Sequence, residues 1–156
     1  MGNACGREAT EAFIAEATGR ESTSDWIRVD QELIDRFADT TGDRTFIHVD
    51  PDAARNSGLN GTIAHGFLTL SLLAPMRMSA KPLAFPGVRL GYNYGFDSIR
   101  MLSPVPSGSR IRGHFVVSSI VETSPGQYRE TTEVTVEIEG QERPALVATW
   151  LAMYVT

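Results

Sequence analysis

The sequence predicts an α+β protein, because its two halves have different hydrophobic periods. Apolar residues recur at helical spacing up to about residue 80, and they alternate with polar residues from about residue 87 onward. The segment from Gly66 to Ser79 is apolar on every side, so we expect one long helix buried under an antiparallel sheet, with a kink at Pro75. A chain of 156 residues has the length of one domain with its own core.

The first part of the chain gives a weak signal. Residues 1–22 are small and polar, and we expect a weakly structured N-terminal segment with one marginal helix between Glu8 and Thr18. The domain proper is expected to span residues 23–156 and to begin with a short strand at residues 26–29.

Two helices are predicted before the central one. The first covers residues 31–41, because Asp30 is a good N-cap and Gly42 stands where a left-handed residue ends a helix. The second is short and begins at Asp50-Pro51, where a cap is followed by a proline at the first helical position. Residues 43–49 have neither period, which predicts a loop between the two helices.

The second half of the sequence predicts long strands separated by proline and glycine turns. They cover residues 87–101, 110–122, 131–139 and 145–155. The third alternates threonine and glutamate with valine and isoleucine, which indicates one solvated face, and the fourth is apolar on both faces like a central strand. We therefore expect an antiparallel meander.

Composition limits the function. A net charge of -5 argues against a nucleic-acid partner, because phosphate binding needs a basic field. Cys5 is the single cysteine, so the chain can form neither an intrachain disulfide nor a thiolate metal site. No apolar run approaches the roughly 20 residues that span a bilayer, and no signal-peptide pattern is present, so we expect a cytoplasmic protein without membrane contact.

The chemistry concentrates in the central stretch. Asp43 and His48 share the predicted loop, so a carboxylate and an imidazole can converge on one water and act as acid and base. Gly66 opens the central helix, where its amide can donate to a negative oxygen. For each feature a structural interpretation stays open, namely a polar pair satisfied by the loop and a glycine that permits close packing. The histidines lack a metal-site spacing, so no metal is expected.

These residues resemble the MaoC-like (R)-specific enoyl-CoA hydratases. The run GDRTFIH at 42–48 is similar to their G-D-x-x-x-x-H signature, and TIAHGFLT at 62–69 is similar to their second block. The runs YNYG at 92–95 and PVPSGS at 104–109 resemble the strand and turn that follow. The subgroup that reads most alike is NodN-like (nodulation protein N-like), and the resemblance covers roughly residues 25–154.

The resemblance implies a single hot-dog domain, in which an antiparallel sheet wraps around a central helix, and a homodimer. It implies reversible addition of water to a trans-2-enoyl thioester, giving (R)-3-hydroxyacyl-CoA, with Asp43 and His48 as the catalytic pair and the Gly66 amide as oxyanion donor. Coenzyme A is part of the substrate, and no metal or redox cofactor is implied. Residues expected to position the substrate are Thr45, Ile63, Ala64, His65, Asn93, Tyr94 and Gly95.

One departure from the family pattern lies between the catalytic residues. Many family members have Asn-Pro where this chain has Thr45-Phe46, so we expect the rate and the substrate position to differ more than the reaction type. Two alternatives stay open: an acyl-CoA thioesterase of the same fold, and a non-catalytic subunit that binds acyl thioesters. Arg100, Arg110 and Arg112 are candidate contacts for the coenzyme A phosphates, although ordinary solvated strand ends are the favoured interpretation.

Overall fold

The computed structural model describes the backbone of residues 2–156 and the side chains of Glu8 and of residues 10–156. The side chain of Cys5 lies outside this part. The elements follow in the order α1 (Gly2–Ala17), β1 (Glu21–Thr23), β2 (Ile27–Val29), α2 (Gln31–Thr41), α3 (Phe46–Val49), α4 (Pro51–Asn56), α5 (Gly66–Ser71), α6 (Leu73–Ser79), β3 (Leu90–Met101), β4 (Ser109–Ser124), β5 (Gln127–Ile138) and β6 (Leu146–Val155).

The strands form one antiparallel sheet in the order β1-β4-β5-β6-β3, with β2 also paired to β4. The predicted meander is correct for β4, β5 and β6 and wrong for β3, which pairs with β6 rather than with the next strand. The segment between β3 and β4 does not form a hairpin turn, because its backbone makes hydrogen bonds to the loop before α5. Ala64 donates its amide to Val105 over 2.8 Å, and Ser107 donates to Thr62 over 2.9 Å.

The central helix is divided into α5 and α6 at Leu72, three residues before Pro75, where the sequence predicted a kink. The physical cause is Pro75, which has no N–H to donate to the carbonyl four residues earlier and whose ring crowds that carbonyl. The helical hydrogen-bond pattern continues across the break. The Leu72 amide donates to the Leu68 carbonyl over 3.0 Å, and the Met76 amide donates to the Leu72 carbonyl over 3.1 Å.

The central helix is also less buried than its composition predicts. Leu68, Leu73 and Met76 are buried in the core beneath the sheet. Phe67 and Met78 are 72% and 78% exposed, so the expectation of burial on every side is wrong for this chain. An apolar face of the central helix is therefore free to meet another surface.

The N-terminal segment contains more structure than its composition predicts. Helix α1 begins earlier than the expected marginal helix, and its last residue, Ala17, packs with Phe85, Val117 and Ile120 in a small second cluster. Strand β1 also lies here and pairs with β4. The division of the chain into residues 1–22 and 23–156 stays a prediction.

The elements before the central helix follow local signals closely. Asp30 accepts a bond from the Leu33 amide over 3.0 Å, and Gly42 ends α2 with a φ of 79°, both as predicted. Asp50 caps α4. The predicted loop at 43–49 is corrected in part, because its last four residues form the one-turn helix α3. Among the described residues, no helix is long and apolar enough to cross a membrane.

Candidate active site

Three segments bring polar side chains together at one end of the central helix. Asp43 follows the C-terminus of α2, His48 lies in α3, and His65 is the residue before α5. One carboxylate oxygen of Asp43 and one ring nitrogen of each histidine all lie within 4.8 Å of one another. The structure thus brings together the predicted acid and imidazole, together with a second imidazole.

The His48 ring is buried and oriented by one main-chain carbonyl. Its Nδ1 lies 2.7 Å from the carbonyl oxygen of Ile63. Because a carbonyl oxygen only accepts hydrogen bonds, Nδ1 carries the proton, and Nε2 of the neutral ring keeps a free lone pair. His48 is therefore arranged as a proton acceptor through Nε2.

His65 supports the other two residues. Its Nε2 donates to the main-chain carbonyl of Asp43 over 2.8 Å, and its ring stacks on that of His48 with centroids 3.8 Å apart. The ring is 2% exposed, and its Nδ1 has no hydrogen-bond partner within the described part of the chain. These contacts hold the Asp43 backbone beside the His48 ring.

The Asp43 carboxylate is exposed and bound by Thr45. Oδ1 accepts from the Thr45 hydroxyl over 2.7 Å and from the Thr45 amide over 3.3 Å. The hydrogen bond from the Thr45 hydroxyl is the main cause that lowers the pKa of Asp43 below its ordinary value, and the hydrogen bond from the Thr45 amide is the second. Asp43 is therefore ionised at neutral pH.

A carboxylate and two imidazoles at this separation are also a donor set that a divalent metal ion accepts. One nitrogen of each ring already bonds to a main-chain carbonyl, which leaves one nitrogen each on His48 and His65. The sequence-based expectation of a metal-free site stays a prediction.

A cavity of about 230 Å³ adjoins the His48 ring. Of the predicted site residues, His48, Ile63, Ala64 and Gly66 line it. A methyl group on Gly66 would lie 3.4 Å from the side chain of Met101, so the glycine keeps the cavity open at the start of α5. Sequence reasoning missed Thr69 on α5 and the lining residues from distant strands and turns, which include Met101, Leu102, Ser103, Val105 and Ala145.

The remaining predicted positions lie elsewhere. Asn93, Tyr94 and Gly95 are on β3, at the edge of the sheet, and are not among the residues that line the His48 cavity. Asn93 lines a different cavity of about 480 Å³ next to α6. Arg77 and Glu130, which form an ion pair, line the same cavity. Their role in positioning the substrate stays a prediction.

Two of the candidate phosphate contacts, Arg110 and Arg112, form ion pairs within the chain, and the third, Arg100, donates to the Ile99 carbonyl over 2.8 Å. Arg110 pairs with Glu139 over 2.9 Å, and Arg112 pairs with Glu137 over 2.8 Å. Both guanidinium groups lie over the Trp26 ring. The structure therefore favours the interpretation of ordinary strand residues.

Comparison with known proteins agrees with the sequence pattern. The family model described as "MaoC like domain" matches residues 14–140. "Nodulation protein N" of Rhizobium leguminosarum bv. viciae is 49% identical over 148 residues, which is 94% of this chain and 91% of that protein. "3-hydroxyacyl-thioester dehydratase Z" of Mycobacterium tuberculosis (strain ATCC 25618 / H37Rv) is 41% identical over 145 residues, covering 92% of this chain and 95% of that protein.

Solved structures confirm the fold. The (R)-hydratase from A. caviae involved in PHA biosynthesis superposes with a TM-score of 0.70 at 21% identity, covering 86% of this chain and 94% of that chain. At this identity the likeness concerns the hot-dog fold alone. The matched family model and the two curated relatives carry the assignment, and the chain belongs to the family of MaoC-like dehydratase domains, in its nodulation protein N-like branch.

Proposed function

We propose that this protein is an (R)-specific enoyl-CoA hydratase that acts through Asp43 and His48. The observation that carries the proposal is the pairing of an ionised carboxylate with an imidazole whose Nε2 is free, beside a cavity that reaches the start of the central helix. Such a pair suits a water molecule, because each group can accept one hydrogen bond from it and one of them can then take a proton. The dehydratase named among the relatives supports the same reaction class.

The proposed reaction adds water across the C2–C3 double bond of a trans-2-enoyl thioester. Water held by Asp43 and His48 forms a bond from its oxygen to C3 while one member of the pair takes its proton. The π electrons move to the thioester oxygen as an enolate, and a proton then returns from the pair to C2 on the same face. The reverse sequence dehydrates the (R)-3-hydroxyacyl thioester.

The enolate oxygen needs a donor, and we assign this role to the Gly66 amide. Gly66 lines the cavity together with His48, and the first amides of a helix have no partner within that helix. Ile63 and Ala64 line the same cavity and are assigned to hold the acyl group. The reaction uses no redox cofactor, because the thioester itself acidifies the α-position.

The proposal includes a homodimer, and the free edge of the sheet supports it. Strand β3 is the last strand of the sheet, and its Tyr92 and Tyr94 are 44% and 60% exposed. Phe67 and Met78 of the central helix are exposed as well. An unpaired edge strand and an apolar helix face are suited to a second copy of the chain. Sedimentation at micromolar concentration as a 17.0 kDa monomer would contradict this part of the proposal.

The activity is tested with crotonyl-CoA and a longer trans-2-enoyl-CoA. We expect loss of the enoyl-thioester absorbance and an (R)-3-hydroxyacyl product by chiral analysis. Asp43→Asn and His48→Gln are each expected to lower the rate by about 10²- to 10⁴-fold. His114→Gln is a matched control, since this partly exposed histidine pairs with Glu137 away from the cavity.

The other outcomes are informative as well. Release of free coenzyme A without hydration would move the assignment to a thioesterase. Tight binding of an acyl-CoA without any turnover would identify a non-catalytic binding subunit. Hydration that both variants retain within about tenfold of wild type would refute the assigned pair, given what such groups contribute in other enzymes.

A further inference from the structure

We propose that Gln31 is a positioning residue, which fixes the orientation of the His48 imidazole without contacting the substrate. Gln31 is the first residue of α2, and its side chain connects three segments of the candidate site. The kinetic consequences rest on the function proposed above, whereas the structural consequence for the His48 ring does not.

Every part of the Gln31 carboxamide that faces the site has a partner. Nε2 donates to the main-chain carbonyl of His48 over 2.7 Å and to Oδ1 of Asp35 over 2.8 Å. Oε1 accepts from the hydroxyl of Thr62. Only a carboxamide satisfies all three, because a carboxylate at this position would present lone pairs to a carbonyl and to another carboxylate.

These bonds close a ring around the catalytic imidazole. The His48 ring donates from Nδ1 to the carbonyl of Ile63. Ile63 directly follows Thr62, whose hydroxyl donates to Gln31. Gln31 thus binds the main chain of His48 through Nε2 and the side chain of Thr62, the residue before Ile63, through Oε1. The partner of Nδ1 sets which nitrogen keeps the proton and how the ring turns, so the ring of contacts fixes Nε2 as the acceptor.

Thr62 adds a second reason for the arrangement. The residue is 5% exposed, so loss of Gln31 leaves a buried hydroxyl without its partner. Its main chain accepts from the Ser107 amide, and the Ile63 amide donates to Ile47 over 3.0 Å. These backbone bonds keep the loop folded when Gln31 is replaced, while the bridge that Gln31 makes between the His48 carbonyl and the Thr62 hydroxyl is lost.

The test compares Gln31→Leu and Thr62→Val with two matched variants. Thr62→Ser keeps the hydroxyl donor, and Glu32→Leu changes the next residue of α2, whose side chain is 79% exposed. Turnover of a trans-2-enoyl thioester gives kcat and KM. Long-range ¹H–¹⁵N spectra of substrate-free protein report the protonation of the two His48 nitrogens, with His48→Gln to assign the signals.

We expect Gln31→Leu to lower kcat by about ten- to a hundredfold, because small displacements of a catalytic group cost that much, with KM within about threefold. The wild-type spectrum should show a single Nδ1–H tautomer for neutral His48, and Gln31→Leu should show a mixture. Thr62→Val should act in the same direction, and the double variant should lose little more than Gln31→Leu alone. Thr62→Ser and Glu32→Leu should resemble wild type.

A folded Gln31→Leu variant whose His48 nitrogen signals match the wild type would overturn the proposal, whatever its kcat. A loss of kcat that only follows the unfolded fraction measured by circular dichroism would overturn it too. If the wild-type protein hydrates no enoyl thioester, the proposed function fails, and the nitrogen spectra still decide whether Gln31 orients His48.

Discussion

The hydroxyl of Thr45 donates a hydrogen bond to Oδ1 of Asp43 over 2.7 Å. Thr45 stands where many members of the family have asparagine, and it is the residue that binds the Asp43 carboxylate most directly in this chain. A shorter, branched side chain thus keeps a hydrogen-bond donor beside the acid.

Thr45→Val keeps the shape of the side chain and removes the hydroxyl. We expect the pKa of Asp43 to rise toward its ordinary value, since the lost bond is the main cause that lowers it. The hydration rate should fall by about two- to tenfold, the range that one hydrogen bond supports. A ¹³C titration of the Asp43 carboxylate measures the pKa change. Thr45→Ser retains the hydroxyl and should match wild type in both measurements.

Gly66→Ala tests the cavity at the start of the central helix. The glycine has no left-handed φ, and the added methyl would meet the flexible side chain of Met101 at 3.4 Å, so the fold should tolerate it. The methyl would lie between Gly66 and Met101, which line the same cavity as His48, so we expect kcat/KM to fall about tenfold through displacement of the thioester. Thermal unfolding should stay within a few degrees of wild type. Full activity with an unchanged KM would argue against a thioester beside Gly66.

The ion pair between Arg77 of α6 and Glu130 of β5 is largely buried. The two side chains are 15% and 7% exposed, and a guanidinium nitrogen lies 3.1 Å from a carboxylate oxygen. Glu130→Gln leaves the arginine charge without its counterion, and we expect a loss of about 3–5 kcal/mol in the free energy of unfolding. Urea denaturation measures it. The exposed pair of Arg110 and Glu139 gives the control, because Glu139→Gln should cost only about 0–1 kcal/mol.

Tyr154 predicts a pH dependence of stability. Burial, and then the negative charge of Glu130, raise the pKa of Tyr154 to about 12. The unfolded chain releases this proton near pH 10, so the stability that Tyr154 contributes is complete below about pH 10 and is lost as the pH rises toward 12. The free energy of unfolding, measured between pH 9 and pH 11, should fall less steeply in Tyr154→Phe than in wild type. Equal slopes would contradict the raised pKa.

Local signals in the sequence determined most of the elements. Asp30 and Gly42 bound α2 as predicted, Asp50 caps α4, and the four long strands lie close to their predicted ranges. Caps and hydrophobic periods act within a few residues, which is why one sequence can reveal them. The family, the hot-dog fold and the approach of Asp43 to His48 follow from the same local blocks.

The tertiary structure decided how these elements meet. The place of β3 beside β6 and the stacking of His65 on His48 depend on how distant segments close together. Gln31 lies 17 residues before His48, whose carbonyl accepts its hydrogen bond, and 31 residues before Thr62, whose hydroxyl donates to it. No spacing in the sequence marks either contact. Hydrogen bonds to the main chain can use almost any residue as partner, so the sequence does not encode them as a pattern. Only the folded chain shows which carbonyl orients the imidazole.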